Sequence, residues 1–309
     1  MRRKIIYSIL GYLFVLTVNS ASAQTFVPVF SQQMLSNVNF NPAAVSENDY
    51  VEGFLHARQQ WTGFTGAPMS QMLNLQGYIS EIKSGIAASV VTEFMGKNFS
   101  LNAKFSYSYH FYLGKKNYLS LGLAAGVLYK NFKGTELILE DGNDPYIEMR
   151  NVNDVKPDLD FGITFTSGDF CIGASVTHLT AFAFHKDDYF SPTAAYYLFA
   201  QYKGNISKKF ALDPYVRAYY VDNNFRLDVN LVARFLDIFW IGAGYRLNDA
   251  ALLMAGVRIG KVFTLGYSYD FSLGPIKKYN SGSHEIVLGL RFQANRKVGD
   301  VTQTPRYFE

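Results

Sequence analysis

The sequence predicts an all-β fold: a transmembrane antiparallel β-barrel of about 14 strands with an N-terminal plug-like segment. The first observation is a long alternation at 99–111, where every second residue is apolar or aromatic and those between are polar. Successive side chains of a strand point to opposite faces, and a strand that crosses a bilayer needs about 9–11 residues. The segment therefore has the length and the two faces of a membrane-spanning strand.

Charged residues within the same pattern require a lumen. Alternation returns at 225–235 and 263–271, with Arg226 and Asp228 in the polar series. An Arg or Lys that faces lipid at the bilayer midplane costs about 2–4 kcal/mol. Because an open sheet edge in hydrocarbon leaves backbone groups unpaired, the sheet is expected to close into a barrel.

Composition is the second observation. The chain of 309 residues is 16% aromatic and only 17% charged, whereas soluble domains carry about 25% charged residues. Abundant Tyr and Phe fit the aromatic girdles of outer-membrane barrels. The single cysteine, Cys171, excludes an intramolecular disulfide and is interpreted as a wall residue.

Residues 1–23 have the features of a secretory signal peptide. Arg2, Arg3 and Lys4 precede an apolar stretch, and Ala21 and Ala23 fit a small-residue cleavage site. Cleavage would make Gln24 the first mature residue and would lower the net charge from +4 to +1, since three basic residues are lost. The basic charge thus gives no support for nucleic-acid binding, and we expect export to the outer membrane.

The strands follow in order after a segment without alternation. Residues 24–50, with Phe26, Phe30 and Phe40 among polar residues, are interpreted as a lumen plug or a periplasmic flap. The barrel is expected over 51–293 and a periplasmic tail over 294–309. The predicted strands are 51–60, 69–79, 84–94, 98–112, 117–130, 158–166, 169–178, 193–204, 209–221, 225–235, 238–247, 250–258, 261–271 and 283–293.

The third observation is the length of the connections. Outer-membrane barrels have short periplasmic turns and longer outer loops. Every even-to-odd connection in this assignment is short, whereas 131–157, 179–192 and 272–282 are long and all odd-to-even. The loop 131–157 holds six acidic and three basic residues, a net charge of −3. Calcium near Asp141 and Asp144 is one interpretation, but the spacing does not match an EF-hand, so a solvated acidic loop is favoured.

Few patterns in the sequence indicate a catalytic or metal-binding site. The five histidines are scattered without metal-ligand spacing, so no metal site is expected. Ser108 and His110 share the polar face and would allow a Ser–His hydrolase, yet such pairs arise freely in a Ser-rich wall. There is no cofactor motif and no nucleic-acid module, and we expect no enzymatic activity.

Short motifs near both ends of the barrel resemble a known family. They read FSQ, NPA, RQQW-x-GF-x-GAP and, at the last strand, GSHEI. Their candidate site residues are Phe30, Ser31, Gln32, Asn41, Pro42, Arg58, Gln60, Trp61, Gly63, Phe64, Gly66, Pro68, His284 and Glu285. In these residues the chain resembles the PorP/SprF family of Bacteroidetes outer-membrane proteins, departing from its pattern at Ala43, Ala44 and Val45.

The resemblance implies a component of the type IX secretion system or of the linked gliding machinery. It implies as partners an exported adhesin with a C-terminal sorting domain, periplasmic ring components and peptidoglycan-anchoring components. The alternative is a fatty-acid-channel type transporter of small hydrophobic solutes, which also pairs a barrel with an N-terminal plug. An apolar lumen would favour that alternative, whereas the charged inward series argues against it.

The motif residues also have local interpretations. Gly63, Gly66 and Pro68 predict a fixed turn after the first strand, with Trp61 and Phe64 as a docking surface or as packing over the barrel mouth. Asn41 and Pro42 begin a turn, because proline fixes φ and pushes the preceding residue to an extended conformation. If residues 24–50 fill the lumen, the pore is closed.

Overall fold

The computed structural model describes residues 28–48, 50–136, 150–184 and 190–293. The predicted signal peptide, Phe26, Asp141, Asp144 and the tail 294–309 lie outside these residues. The strands are β1 (Tyr50–Gln59), β2 (Met69–Ile79), β3 (Ser84–Met95), β4 (Asn98–Tyr112), β5 (Asn117–Lys133), β6 (Asn151–Ser167), β7 (Phe170–Thr177), β8 (Ala195–Tyr202, continued by Gly204–Asn205), β9 (Phe210–Val221), β10 (Asn224–Phe235), β11 (Phe239–Arg246), β12 (Ala250–Ile259), β13 (Phe263–Ser272) and β14 (Ser283–Gln293).

The sheet closes on itself. Each strand pairs antiparallel with its neighbours in sequence, and β14 pairs with β1 from Tyr50↔Gln293 to Gln59↔His284. The predicted antiparallel barrel of 14 strands is therefore confirmed. Short 3-10 turns are its only helical elements within the described residues, at Gln33–Leu35, Ser80–Ile82, Gly134–Glu136, Leu179–Ala183 and Pro275–Lys278.

The two faces of the wall follow the alternation of the sequence. On β4, Phe105 and Tyr107 are exposed on the outside of the barrel, whereas Lys104, Ser106 and Ser108 are buried inside it. Among the described residues, no helix is long and apolar enough to span a membrane. The apolar band thus belongs to the outer surface of the sheet and the polar series to its lumen, as predicted.

One hairpin is longer than the sequence predicts. β5 ends at Lys133 and β6 begins at Asn151, so the predicted loop 131–157 is largely strand at both ends. β6 pairs with β7 only between Phe161 and Ser167, so Pro157 lies where one edge of β6 is free. Proline is tolerated on such an edge. This part of the hairpin lacks the apolar alternation of a membrane wall, so the sequence pattern does not indicate the extension.

Connection lengths separate the two ends of the barrel. The four longest connections, 60–68, 134–150, 178–194 and 273–282, all join an odd strand to an even one. We call this the long-loop end and the opposite one the short-turn end. At the long-loop end, Lys97 and Lys133 donate to the Glu136 carboxylate and hold its pKa below the usual value.

Candidate functional site

The N-terminal segment, residues 28–48, lies among the inward-facing side chains of the barrel. Most of its residues are buried, and Phe30 and Phe40 are 1% and 2% exposed. It contains one short 3-10 turn, Gln33–Leu35, and is otherwise irregular. An irregular chain inside a barrel must find partners for its backbone and side chains on the wall, so its contacts define the site.

The first contact is a latch at Ser31 and Gln32. The Glu285 carboxylate accepts from both backbone amides, at 2.6 Å from Ser31 N and 3.2 Å from Gln32 N. The Ser31 hydroxyl donates to Asp270, at 2.8 Å from Oδ1, and accepts from Arg58 Nη1 at 2.9 Å. All of these groups are buried. Bonds with ionised partners are the strong ones, so this latch holds the segment firmly.

Barrel closure creates the latch. Arg58 on β1 and Glu285 on β14 are direct cross-strand partners at the seam, and Asp270 on the neighbouring β13 completes the group. His56 Nδ1 lies 3.2 Å from Glu285 Oε1 on the same inner face. Motif residues more than two hundred positions apart in sequence are thus adjacent only because the first and last strands pair.

The latch belongs to a larger set of buried ions, which we call the arginine cluster: Arg58, Arg217, Arg246, Asp228, Asp270 and Glu285. Arg58 lies 2.7 Å from Asp270, and Arg246 lies 3.0 Å from both Asp270 and Asp228. Arg217 joins through Asp228. Three guanidinium groups face three buried carboxylates, so the buried charges balance, and the partly exposed Asp249 carboxylate lies 3.5 Å from Arg246 at the edge of the cluster.

The second contact seats the turn at Asn41 and Pro42. Asn41 Nδ2 donates to the Ala174 carbonyl at 3.1 Å, and its Oδ1 accepts from Ala43 N. The wall opposite is made by a cross-strand pair of glycines, Gly122 and Gly162. A Cβ at Gly122 would lie 2.3 Å from Ala43 N, and one at Gly162 would lie 2.1 Å from Asn41 Oδ1. Only glycine leaves room for this turn.

The third contact is aromatic. Phe40 stacks on Tyr197 at 5.1 Å between ring centroids and meets Phe199 edge-on at 5.7 Å. Its backbone carbonyl accepts from the Ser175 hydroxyl at 2.6 Å. A second apolar group of the inner face, around Trp240 and Met254, packs against Met34. The inner face is therefore apolar in two places where the segment rests on it.

The loop 60–68 forms the fixed turn that the sequence predicts. Trp61, Gly63 and Gly66 have positive φ, and Gln60 N donates to the Pro68 carbonyl at 2.9 Å. Trp61 N donates to the Ser283 hydroxyl. Thr62 N donates to the Gly282 carbonyl, and the Thr62 carbonyl accepts from Ser281 N. Phe64 is 44% exposed at the long-loop end.

The other motif residues divide between the two sides of the wall. Glu285 faces the latch, whereas the adjacent His284 lies on the outer side, where its Nδ1 pairs with the Tyr267 hydroxyl at 2.7 Å. Ser108 and His110 are both buried, but neither ring nitrogen of His110 has a hydrogen-bond partner among the described residues. The ring instead stacks on Tyr118 at 4.9 Å, so the geometry of a Ser–His pair is not formed.

Two cavities flank the N-terminal segment. One of about 530 Å³ opens at the long-loop end and is lined by Val29 and Phe40 of the segment. The other, of about 370 Å³ at the short-turn end, is lined by Leu35 and Val45. The two have no lining residue in common.

Similar solved structures are outer-membrane barrels. CymD, a monoaromatic hydrocarbon channel, aligns with a TM-score of 0.51 and 12% identity over 87% of this chain and 94% of its own. The toluene transporter TodX of P. putida has a TM-score of 0.49 and 9% identity over 82% and 92%. Omp33 of Acinetobacter baumannii has a TM-score of 0.45 and 9% identity over 79% and 96%. At such identities the likeness concerns the fold alone. No curated protein matches this chain.

A match to a family model shows which protein family the chain belongs to, which the fold alone does not. The model of the type IX secretion system membrane protein PorP/SprF matches residues 22–290. That range includes the latch, the seat of Asn41 and Pro42, and nearly the whole barrel, and it confirms the resemblance drawn from the short motifs. The chain is therefore an outer-membrane β-barrel that belongs to the PorP/SprF family of type IX secretion system membrane proteins.

Proposed function

We propose that this protein is a non-enzymatic component of the type IX secretion or gliding machinery that works by binding its partners. Outside the cell the partner is an exported adhesin with a C-terminal sorting domain. In the periplasm the partners are the secretion ring and peptidoglycan-anchoring components. Membership of the family supports a role in type IX secretion, and the choice of these partners is our inference.

The observation that carries the proposal is the latched N-terminal segment. It lies between the two cavities and is held by buried ions on β1, β13 and β14. We propose that it is a plug that closes the lumen. A barrel whose lumen is closed acts through the surfaces at its two ends.

The long-loop end offers a preformed surface for the exported partner. The loop 60–68 is fixed by main-chain bonds to residues 281 and 282 and presents Phe64 to solvent. Rigid aromatic groups bind partners at a small cost in conformational entropy. The exposed ring and its fixed backbone favour this loop as a docking site.

Affinity isolation tests the partners. The protein, tagged after Glu309, would be isolated from detergent-solubilised outer membranes, with an unrelated tagged barrel as the control, and bound proteins identified by mass spectrometry. We expect ring components, peptidoglycan-anchoring components or a sorting-domain protein in the sample and not in the control. Recovery of the barrel alone would contradict the proposal.

Conductance in planar bilayers tests the closed lumen. We expect the native barrel to stay closed and Glu285→Gln to open, because this change removes the carboxylate that accepts from Ser31 N and Gln32 N. Glu93→Gln is the matched control, since Glu93 is also a buried lumen carboxyl but bonds Ser70 instead. A native barrel with steady open conductance would contradict the closure.

A second candidate is a transporter of small hydrophobic solutes. The cavity at the long-loop end favours it, because Phe40, Tyr197 and Tyr219 contribute aromatic surface there. CymD, which has a similar fold, is a hydrocarbon channel. Uptake of a radiolabelled aromatic hydrocarbon into liposomes separates the two candidates: we expect no uptake above empty liposomes, and uptake by the native barrel would favour the transporter.

A further inference from the structure

A second group of buried ions lies at the long-loop end of the lumen, apart from the arginine cluster. We call it the aspartate cluster: Lys104, Asp158, Asp160 and His178. Lys104 Nζ lies 2.5 Å from Asp160 Oδ2 and 3.9 Å from Asp158 Oδ2. His178 Nδ1 lies 2.9 Å from Asp158 Oδ2. The strands bring these residues together from β4, from β6 and from the end of β7.

The charges of the aspartate cluster do not balance. The two carboxylates and the ammonium are almost wholly buried, with side-chain exposures of 0%, 2% and 5%. One ammonium faces two carboxylates, and the imidazole that completes the group is a metal ligand in its neutral form. An uncompensated buried charge is expensive, so the cluster favours a further positive charge.

Two buried oxygen atoms, one in the cluster and one beside it, are also without donors. Asp158 Oδ1 and Asn102 Oδ1 are buried and have no hydrogen-bond partner among the described residues. Asn102 is bound to the cluster, because its Nδ2 donates to Asp158 Oδ2 at 3.0 Å. Both orphaned atoms are acceptors only, and their need can be met by water or by a cation.

We propose that Asp158, Asp160 and His178 bind a divalent first-row transition-metal ion. The ligand atoms of these three residues lie within 4.8 Å of one another. Carboxylates with an imidazole suit such ions, whereas calcium takes oxygen ligands alone. Sequence spacing did not reveal the site, because its ligands come from separate strands rather than from one local motif.

Lys104 acts as the internal counter-ion that the metal displaces. Its side chain also lines the cavity of about 530 Å³, so the ammonium has space to withdraw from Asp160. The same cavity gives an ion a path from the long-loop end. Removing the ammonium therefore strengthens metal binding, an outcome that an adventitious surface site does not share.

The test measures Zn²⁺ binding to the full-length barrel in detergent, carrying no histidine tag and freed of metal by a chelator. Equilibrium dialysis with elemental analysis gives stoichiometry and affinity. We expect one Zn²⁺ per barrel, binding at least about tenfold weaker in Asp158→Asn and at least about tenfold tighter in Lys104→Met, because a nearby positive charge opposes the ion. Glu93→Gln and Lys130→Met, which alter the same cavity outside the cluster, are the matched controls.

Several outcomes overturn the proposal. They are no bound Zn²⁺ in the native barrel, equal binding in Asp158→Asn, or no tightening in Lys104→Met. Ca²⁺ that binds as tightly as Zn²⁺ overturns the assignment to a transition metal. If Asp158→Asn does not fold, as judged by its gel mobility before and after heating, His178→Asn replaces it. Asparagine tolerates the positive φ of 59° at that position.

Discussion

The arginine cluster and the aspartate cluster are both buried in the lumen, yet they are built differently. The first sets Arg58, Arg217 and Arg246 against three carboxylates and also binds Ser31 of the N-terminal segment. The second sets one lysine against two aspartates beside a cavity. Guanidinium groups present several donors in a rigid fork, whereas an ammonium is a compact charge on a flexible stem. Balanced, forked ions suit a permanent latch, and an unbalanced group with a mobile ammonium suits an exchangeable cation.

The largest effect is expected from Asp228→Asn. This change leaves Arg217 and Arg246 facing each other without the carboxylate that separates them. Removing one partner of a buried ion pair lowers the free energy of unfolding by about 3–5 kcal/mol. Urea unfolding of the barrel in lipid vesicles measures this loss of free energy of unfolding.

The control for that experiment is Asp213→Asn. Asp213 also pairs with an arginine, Arg234, but each side chain is 23% exposed near the short-turn end. A partly exposed pair is expected to contribute about 0.2–1 kcal/mol. If both variants lose the same free energy of unfolding, burial and charge balance do not make the arginine cluster more stabilising than a partly exposed ion pair.

A smaller effect is expected from Ser31→Ala, which removes the hydroxyl between Asp270 and Arg58. Hydrogen bonds with charged groups contribute about 1.5–3 kcal/mol, so unfolding in urea should become easier by this amount. Ser36→Ala is the control, because its hydroxyl accepts from the neutral Asn74 amide, where a neutral bond is worth about 0.5–1.5 kcal/mol. A loss no greater than in the control would show that the latch is weak.

The sequence predicts the barrel well because a membrane wall imposes its pattern on every strand. Alternation assigns Arg226 and Asp228 to the inner face, and connection lengths assign the two ends. Neither pattern predicts that Arg58, Asp270 and Glu285 are in contact, because this contact arises only when the barrel closes around a separate segment. The short motifs singled out Ser31, Arg58 and Glu285, whereas Asp270 and Arg246 are inward charges with no motif of their own.

Two inward-facing glycines are the mark that the seated turn leaves in the sequence. Gly122 and Gly162 occupy inward positions of long strands, where a side chain would normally fill the lumen. A strand glycine often marks the close approach of another backbone. Here the approaching backbone is that of Asn41, Pro42 and Ala43. The approach involves a distant segment, so strand periodicity alone does not indicate it.

Gly122→Ala measures how tightly that turn is seated. The added methyl group would meet Ala43 N and the Pro42 carbonyl carbon at 2.3 and 2.4 Å, so the turn must move. Overpacking of this kind is expected to lower the free energy of unfolding by about 1–3 kcal/mol. Gly77→Ala is the control, since its new methyl group would lie 3.5 Å from Val51, an ordinary contact. Equal stability of the two variants would show that the turn does not rest on the wall.

The smallest effect is expected from Asp158→Asn in protein freed of metal. The change removes the excess negative charge while the pair of Lys104 and Asp160, 2.5 Å apart, remains. The relief of that excess offsets the weakened bonds to Asn102 and His178, so the free energy of unfolding should change by less than about 1 kcal/mol. Its carboxylate is as buried as that of Asp228, and the two unfolding curves therefore compare charge balance at matched burial. A loss as large as that in Asp228→Asn would mean that the charge of Asp158 is already compensated without a metal.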